Sequence, residues 1–351
     1  MGKIEDVIKS FNKEHKEELV HLGLAQYDYD RIPFTSPRLN YMSFGGIIVG
    51  KLTEFYGEEH GGKTTTALDV VANTQRKFPD KKVVYLDIEN TLDAVWATKL
   101  GVDVDDMIIC NPTHQGAEDM FKLAEQMMET GEVSLIVIDS LGALESNQSR
   151  EKDIEDKTYG GISQALTKFS KRAVGLGMKY NCTVIGINQE RDDLNSAYGG
   201  TTTPGGKAWK YHCMSRFQFR KGNYFDDKGN KLTRSAENPA GNQVLVSMTK
   251  NKGCPPTRRT GFYTLRYDIG IDYITDLIEV AMKFGIIEKS GSWFTIVDID
   301  TGEVLEEKLH GQDNVKKALE SDTELLERVD ALIEARLYSD DTDLEVEEEE
   351  E

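Results

Sequence analysis

The stretch that most constrains this chain is Leu52 to Thr65, reading LTEFYGEEHGGKTT. A short apolar strand (Leu52, Phe55, Tyr56) runs into Gly57, and Glu58, Glu59, His60, Gly61, Gly62, Lys63, Thr64 and Thr65 follow. The spacing is G-x-x-x-x-G-K-[ST] between a strand and a helix, the context of a phosphate-binding loop. Glycines let the backbone curl so that its N–H groups point at an anion. A helix opening at Lys63 adds the positive end of its dipole. Lys63 is expected to reach the β- and γ-phosphates of a nucleoside triphosphate, and the Thr64 hydroxyl to hold Mg²⁺. The competing reading is a glycine-rich turn before an ordinary helix. The strand, full motif and helix in register argue against it.

Around this loop the pattern alternates. Helix 63–78 is followed by an apolar strand at 83–89 (VVYLDIE) and a helix near 91–100. A strand at 107–112, a helix at 115–130, a strand at 135–140 (LIVIDS), a helix at 161–180 and a strand at 182–189 (CTVIGINQ) continue it. Apolar strands separated by helices predict an α/β fold: a mostly parallel, twisted sheet covered by helices on both faces. The strands expected at 215–221, 242–251 and 260–268 are closer together and read as a meander added to one edge. Ahead of this core, Ile4, Val7, Ile8 and Phe11 give an amphipathic N-terminal helix. Beyond Gly270, a helix ending at Gly285, a hairpin over 292–306 and two more helices predict a small C-terminal α/β lobe. The division expected is 1–33 helix and linker, 34–270 core, 271–337 small lobe, and 338–351 a disordered acidic tail.

Composition narrows the function classes. No apolar run is long enough to span a bilayer, and the N-terminus is mixed-charge and lacks the pattern of a secretory signal. The four cysteines are widely spaced with no C-x-x-C pair, which fits reduced thiols in a cytoplasmic compartment. The net charge is −19, and residues 340–351 hold nine acids and no base, leaving the remainder at −10. Binding to DNA therefore needs a local basic groove and cannot rest on a global field.

Ligands of open α/β sheets bind beyond the carboxyl ends of the strands. Asp139 ends one apolar strand, where its carboxylate can hold Mg²⁺ opposite Thr64. Strand periodicity places Asp87 and Glu89 on one face, with Glu89 at the tip, able to orient or deprotonate an attacking water. Asn188 and Gln189 end another strand, where a carboxamide can report the γ-phosphate and release the following loop. That loop, 190–206, is long and rich in Gly and Thr, and a second lies near 148–161. Long loops inside a compact domain are usually functional or disordered.

Taken in order, GEEHGGKTT, YLDIENTLD, LIVIDSLGAL, INQ, TTTPGGKAWKY, TKNK and EKSGSWF resemble the bacterial RecA recombinase family, and the chain looks like a phage-encoded or divergent member. The resemblance runs from about Gly46 to Phe294 and loosely to the tail. It implies a RecA-type ATPase core using ATP and Mg²⁺, with Glu89 as the catalytic glutamate and Gln189 as the γ-phosphate sensor. Trp96 falls where the family stacks an aromatic on adenine, and Asp93 where it helps read the base. Lys250 and Lys252 match lysines that reach the ATP of the adjacent protomer. The two loops match those that hold single-stranded DNA, with Gly160 and Gly161 in the first and Arg191, Leu194, Tyr198, Gly205 and Gly206 in the second. The N-terminal helix is expected to dock on the next subunit of a helical filament. The tail is expected to compete with DNA and to offer a contact for single-strand-binding or mediator proteins.

The chain departs from the family at Asp192 and Asp193 in the second loop, at Gly160 where a bulky wedge is usual, and at Asn90 after the catalytic acid. The function this implies is ATP-dependent homologous recombination. The protein would coat single-stranded DNA, pair it with a homologous duplex and exchange strands. Two rivals share the core: a RecA-like hexameric ATPase or helicase, and a nucleotide-gated scaffold without strand exchange.

Overall fold

A computed structural model describes residues 3–16, 20, 29–150, 161–192, 200–233, 236–254 and 256–338. The first loop's Gly160, and Leu194 and Tyr198 of the second, lie outside these residues, as does the acidic tail from 339. The chain divides into two compact units, one up to Asp30 and one from Arg31 onward.

The first unit contains α1 (Lys3–His15), which buries none of its residues. Its apolar stripe shows Ile4, Val7 and Phe11 exposed. Within this unit, the Asn12 amide donates to Val20 O at 2.7 Å and its oxygen accepts from Val20 N at 2.9 Å.

The second unit opens with β1 (Arg31–Ile32), α2 (Pro37–Ser43) and β2 (Ile47–Ile48), where β1 and β2 form a small antiparallel pair. The alternating region follows as β3 (Leu52–Gly57), α3 (Lys63–Lys77), β4 (Lys82–Asp87), α4 (Ala94–Lys99), β5 (Met107–Cys110), α5 (Ala117–Glu129) and β6 (Val133–Asp139). Next come α6 (Asn147–Arg150), α7 (Gly161–Tyr180), β7 (Thr183–Gln189), the short pair β8 (Arg191–Asp192) and β9 (Thr201–Thr202), and α8 (Gly206–His212). The meander is β10 (Ser215–Phe225), β11 (Lys231–Leu232), β12 (Gly241–Asn251), β13 (Thr260–Arg266) and β14 (Gly270–Ile271).

Among the described residues, ten strands make one sheet in the order β14-β13-β12-β10-β3-β7-β6-β4-β5, with β11 paired to β10. Strands from β10 to β5 pair in parallel, and β12, β13 and β14 extend the edge antiparallel. β3 lies in the interior of this sheet, and every one of its residues is buried. One face packs α2 and α3 against Phe55, Tyr85, Ile185, Ile187, Phe217 and Phe219. The other packs α5, α7 and Trp209 of α8 against Leu52, Val84, Ile136, Ile138 and Val184. Burial on two faces explains why these strands read as continuous apolar runs, each large side chain contributing about 1.5–3 kcal/mol. No helix is long and apolar enough to cross a membrane among the described residues.

The C-terminal part holds α9 (Tyr273–Lys283), β15 (Ile287–Ser290), β16 (Trp293–Asp298), β17 (Glu303–His310), α10 (Gln312–Ser321) and α11 (Thr323–Leu337). The three strands form an antiparallel sheet with its own core, including Leu277, Ile286, Phe294, Ile296, Val315 and Leu332. It is fastened to the larger sheet by buried polar contacts. Ser36 Oγ donates to Asp276 Oδ2 at 2.6 Å, and Arg258 Nη1 donates to Leu337 O at 2.7 Å.

Candidate active site

The loop after β3 needs glycine for steric reasons visible in the backbone. Gly57 has φ 145°, and a Cβ there would stand 2.0 Å from Phe219 O of the neighbouring strand. Gly62 has φ 97° and caps α3, and a Cβ there would meet Val244 and the Tyr263 hydroxyl. Only glycine holds such conformations without strain. His60, at φ 57°, completes the curl. The loop and the first turn of α3 border a cavity of about 560 Å³, lined by His60 to Thr65, Trp96, Lys221, Asn242, Val244, Leu265 and Tyr267.

Lys63 is 8% exposed. Its ammonium donates to Gly57 O at 3.0 Å and Glu58 O at 2.5 Å. Burial holds its pKa below the usual lysine value, against the pull of Asp139, Glu89, Glu59 and Glu190. It is a cation seated on weak acceptors amid carboxylates, and a phosphate would satisfy it better.

Thr64 Oγ1 donates to Asp139 Oδ2 at 2.9 Å, and the Tyr85 hydroxyl donates to the same oxygen at 2.7 Å. Burial raises the Asp139 pKa, hydrogen bonds from Tyr85 and Thr64 oppose the shift, and Glu89 and Asp87 add to it. Among the described residues, no cluster of three or more His, Cys, Asp or Glu side chains is arranged around a metal position. The hard oxygen pair of Thr64 and Asp139 fits Mg²⁺, which keeps waters and takes one or two protein oxygens beside phosphate.

β4 ends at Asp87, two residues before the sequence reading placed its end. Asp87 is buried, and Glu89 lies beyond the strand and is exposed. Its carboxylate accepts from Thr91 N at 3.1 Å, Leu92 N at 3.0 Å and Asn111 Nδ2 at 3.2 Å. The turn is completed by Asn90 at φ 54°, a conformation asparagine tolerates well. This frees Glu89 to reach across the strand ends. Its Oε1 accepts from the Ser140 hydroxyl and, at 3.5 Å, from Gln189 Nε2.

Asp93 caps α4, with Oδ1 accepting from Val95 N at 2.9 Å and Trp96 N at 3.0 Å. Trp96 Nε1 donates to Thr65 Oγ1 at 3.2 Å, which places the indole in the wall of the cavity. Also in the lining, the Tyr267 hydroxyl donates to Asn242 Oδ1 at 2.8 Å.

Lys250 stands elsewhere. Its ammonium donates to Lys210 O at 2.6 Å and Tyr211 O at 2.8 Å, two carbonyls in the last turn of α8. Burial and neighbouring Lys252 lower its pKa. Neither lysine lines this chain's own cavity. Arg191 lies in the β8–β9 pair, and Gly205, at φ 97°, caps α8 ahead of Gly206. Gly161 opens α7.

The structure therefore brings together Lys63, Thr64, Asp139, Glu89 and Gln189, and sets Trp96 beside them. Sequence reasoning missed Tyr85, Ser140, Asn242 and Tyr267. Ser140 was findable as the residue after the strand-ending acid. Tyr85 was findable as a lone hydroxyl in an apolar strand.

Comparison with known proteins gives the family. Residues 2–272 match the RecA N-terminal domain and residues 275–338 the RecA C-terminal domain. The RecA protein of Thermus thermophilus is 32% identical over 334 residues, covering 94% of this chain and 93% of that protein. That of Fusobacterium nucleatum is 33% identical over 308 residues, covering 87% and 76%. That of Clostridioides difficile is 34% identical over 295 residues, covering 84% and 79%. The chain belongs to the RecA family, the DNA-dependent ATPases of homologous recombination.

Proposed function

We propose that this chain binds ATP and Mg²⁺ at the mouth of β3, polymerises as a helical filament on single-stranded DNA, pairs that strand with a homologous duplex and exchanges strands. One observation carries the reading. A continuous run of hydrogen-bonded residues, Thr64–Asp139 and Ser140–Glu89–Gln189, joins the phosphate loop to the ends of three neighbouring strands. A binding loop alone would not need an acid aimed across it.

The loop amides and Lys63 hold the phosphates, and Thr64 and Asp139 hold the cation. The cation neutralises charge on the phosphates when bound. Glu89, steadied by the Ser140 hydroxyl, orients the attacking water and takes its proton. Gln189 sits within reach of that acid and registers the γ-phosphate. Trp96 stacks on the adenine, with Asp93 beside it. Lys250 and Lys252 complete the site of an adjacent protomer, and Glu58, Glu59 and His60 lie at that boundary.

Arg191, Leu194, Tyr198, Gly205 and Gly206, with Gly160 and Gly161, contact single-stranded DNA through backbone N–H groups and side chains. The exposed stripe of α1 docks on the next subunit, and the acidic tail serves single-strand-binding or mediator proteins. The domain division is that given above, and the site of action is the cytoplasm. The test is ATP hydrolysis with and without single-stranded DNA. Strong stimulation is expected, and equal rates would refute the reading.

A further inference from the structure

One face of the sheet carries a polar cluster that the site above does not use. Glu54 lies within β3, three residues before Gly57, and is fully buried. Strand register sets it beside Arg216 of β10, and sets Tyr56 beside Asn188 of β7 and Gln218 of β10. These side chains meet. Glu54 Oε1 accepts from Asn188 Nδ2 at 2.9 Å, and Oε2 accepts from Arg216 Nε. The Arg216 guanidinium also lies over the Tyr56 ring, 4.5 Å from its centre.

The cluster reaches both shoulders of the 190–206 segment. On the exit side, Asn188 Nδ2 donates to Pro204 O at 3.0 Å and Arg216 Nη2 to Thr203 Oγ1 at 3.5 Å. On the entry side, Gln218 Nε2 donates to Glu190 Oε1 at 2.6 Å, and Thr201 Oγ1 donates to the same oxygen at 3.0 Å. Asn188 is also tied to its neighbour, because its Oδ1 accepts from Gln189 N at 3.1 Å. A displacement of the Gln189 backbone must therefore disturb the amide that holds Pro204.

A buried ion pair is a poor source of stability, since an apolar pair of equal volume often does as well. It does fix geometry, because a carboxylate with defined donors tolerates few arrangements. Glu54 has donors from the strand bearing Gln189 and from the strand that anchors the loop's exit.

We propose that Glu54 and Arg216 are positioning residues which, through Asn188, pass the state of Gln189 to the shoulders of the 190–206 segment and so make DNA affinity depend on the bound nucleotide. This rests on the reading above, in which Gln189 senses nucleotide and that segment contacts DNA. Neither residue lines the nucleotide cavity.

The test measures affinity for a fluorescent single-stranded oligonucleotide with a slowly hydrolysed ATP analogue and with ADP. It compares the full-length protein with Glu54→Gln and with the double variant Glu54→Gln/Arg216→Met, which removes both charges of the pair together. Allosteric couplings typically amount to about 5–150-fold. The ratio of the two affinities should fall to within about twofold of unity in both variants, while nucleotide affinity and thermal midpoint of the double variant stay near wild type. A purely structural role would lower both affinities alike and leave the ratio intact, and a double variant with the wild-type ratio would overturn the proposal. Hydrogen exchange on the wild-type protein gives a second arm. The Thr203 and Gly205 amides should change protection between the two nucleotides, and unchanged protection would equally overturn it. If wild-type DNA affinity ignores the nucleotide, the reading beneath the proposal fails with it.

Discussion

Asp276 is a buried acid at the joint between α9 and the larger sheet, and its titration should be visible in the stability of the whole second unit. Burial pushes its pKa up to about 7, from an ordinary 3.8, against the opposing effects of Arg38, the Ser36 hydroxyl and the Thr264 amide. The Arg38 guanidinium stands 3.7 Å from Oδ1, at a distance that offers charge but no hydrogen bond. Because the folded state holds this proton more tightly than the unfolded state, stability falls as pH rises from about 4 through about 7 and is flat above. The full penalty is on the order of 4 kcal/mol, and the part falling between pH 5.5 and 8.0 is about 2 kcal/mol. Asp276→Asn keeps an acceptor for the Thr264 amide, turns an NH₂ donor toward the Ser36 hydroxyl, and has no charge to lose. Urea midpoints at pH 5.5 and 8.0 should show the wild type losing about 2 kcal/mol more than the variant. Asp69, raised to about 6 by burial, contributes to both proteins and cancels in the comparison. Parallel pH profiles would refute the argument, because the carboxylate would then be stabilised as an ion by Arg38.

The remaining predictions concern the phosphate loop and the acid above it. Gly57→Ala should abolish measurable ATP binding in a nucleotide titration and lower the thermal midpoint, since the strained backbone alone costs about 1–3 kcal/mol and the new Cβ would also collide with Phe219 O. A variant that binds ATP normally would show that β3 and β10 separate freely there. Glu89→Gln should keep nucleotide affinity while reducing kcat by about 10²–10⁴, the usual worth of a general base. An unchanged kcat would assign the water to another residue.

The architecture was legible because two-sided burial writes itself as apolar runs of strand length. The helices at 63–77 and 161–180 and the strands at 183–189 and 241–251 lie within a residue of where periodicity put them. The active-site core was legible because the phosphate loop is a local motif and the other groups sit at strand ends. What the sequence hid was direction. Asp87 and Glu89 have the right spacing for one face, but Asp87 is drawn off by the Thr91 and Leu92 amides. Asp93 precedes a helix and caps it, a local hydrogen-bonding role that the sequence reading did not assign. The polar cluster on β3 was invisible for another reason. Glu54, Asn188 and Arg216 are scattered over more than 160 residues of chain and meet only through the strand order.

The position of Lys250 bears on the proposed assembly. Its ammonium already closes the end of α8, the helix that starts at Gly206. In that assembly a lysine that turns to a neighbour's nucleotide must first leave those two carbonyls. Each interface would use one such lysine, so every subunit that joins would meet the same intramolecular competitor, and the release of α8 would be a cost repeated along the filament.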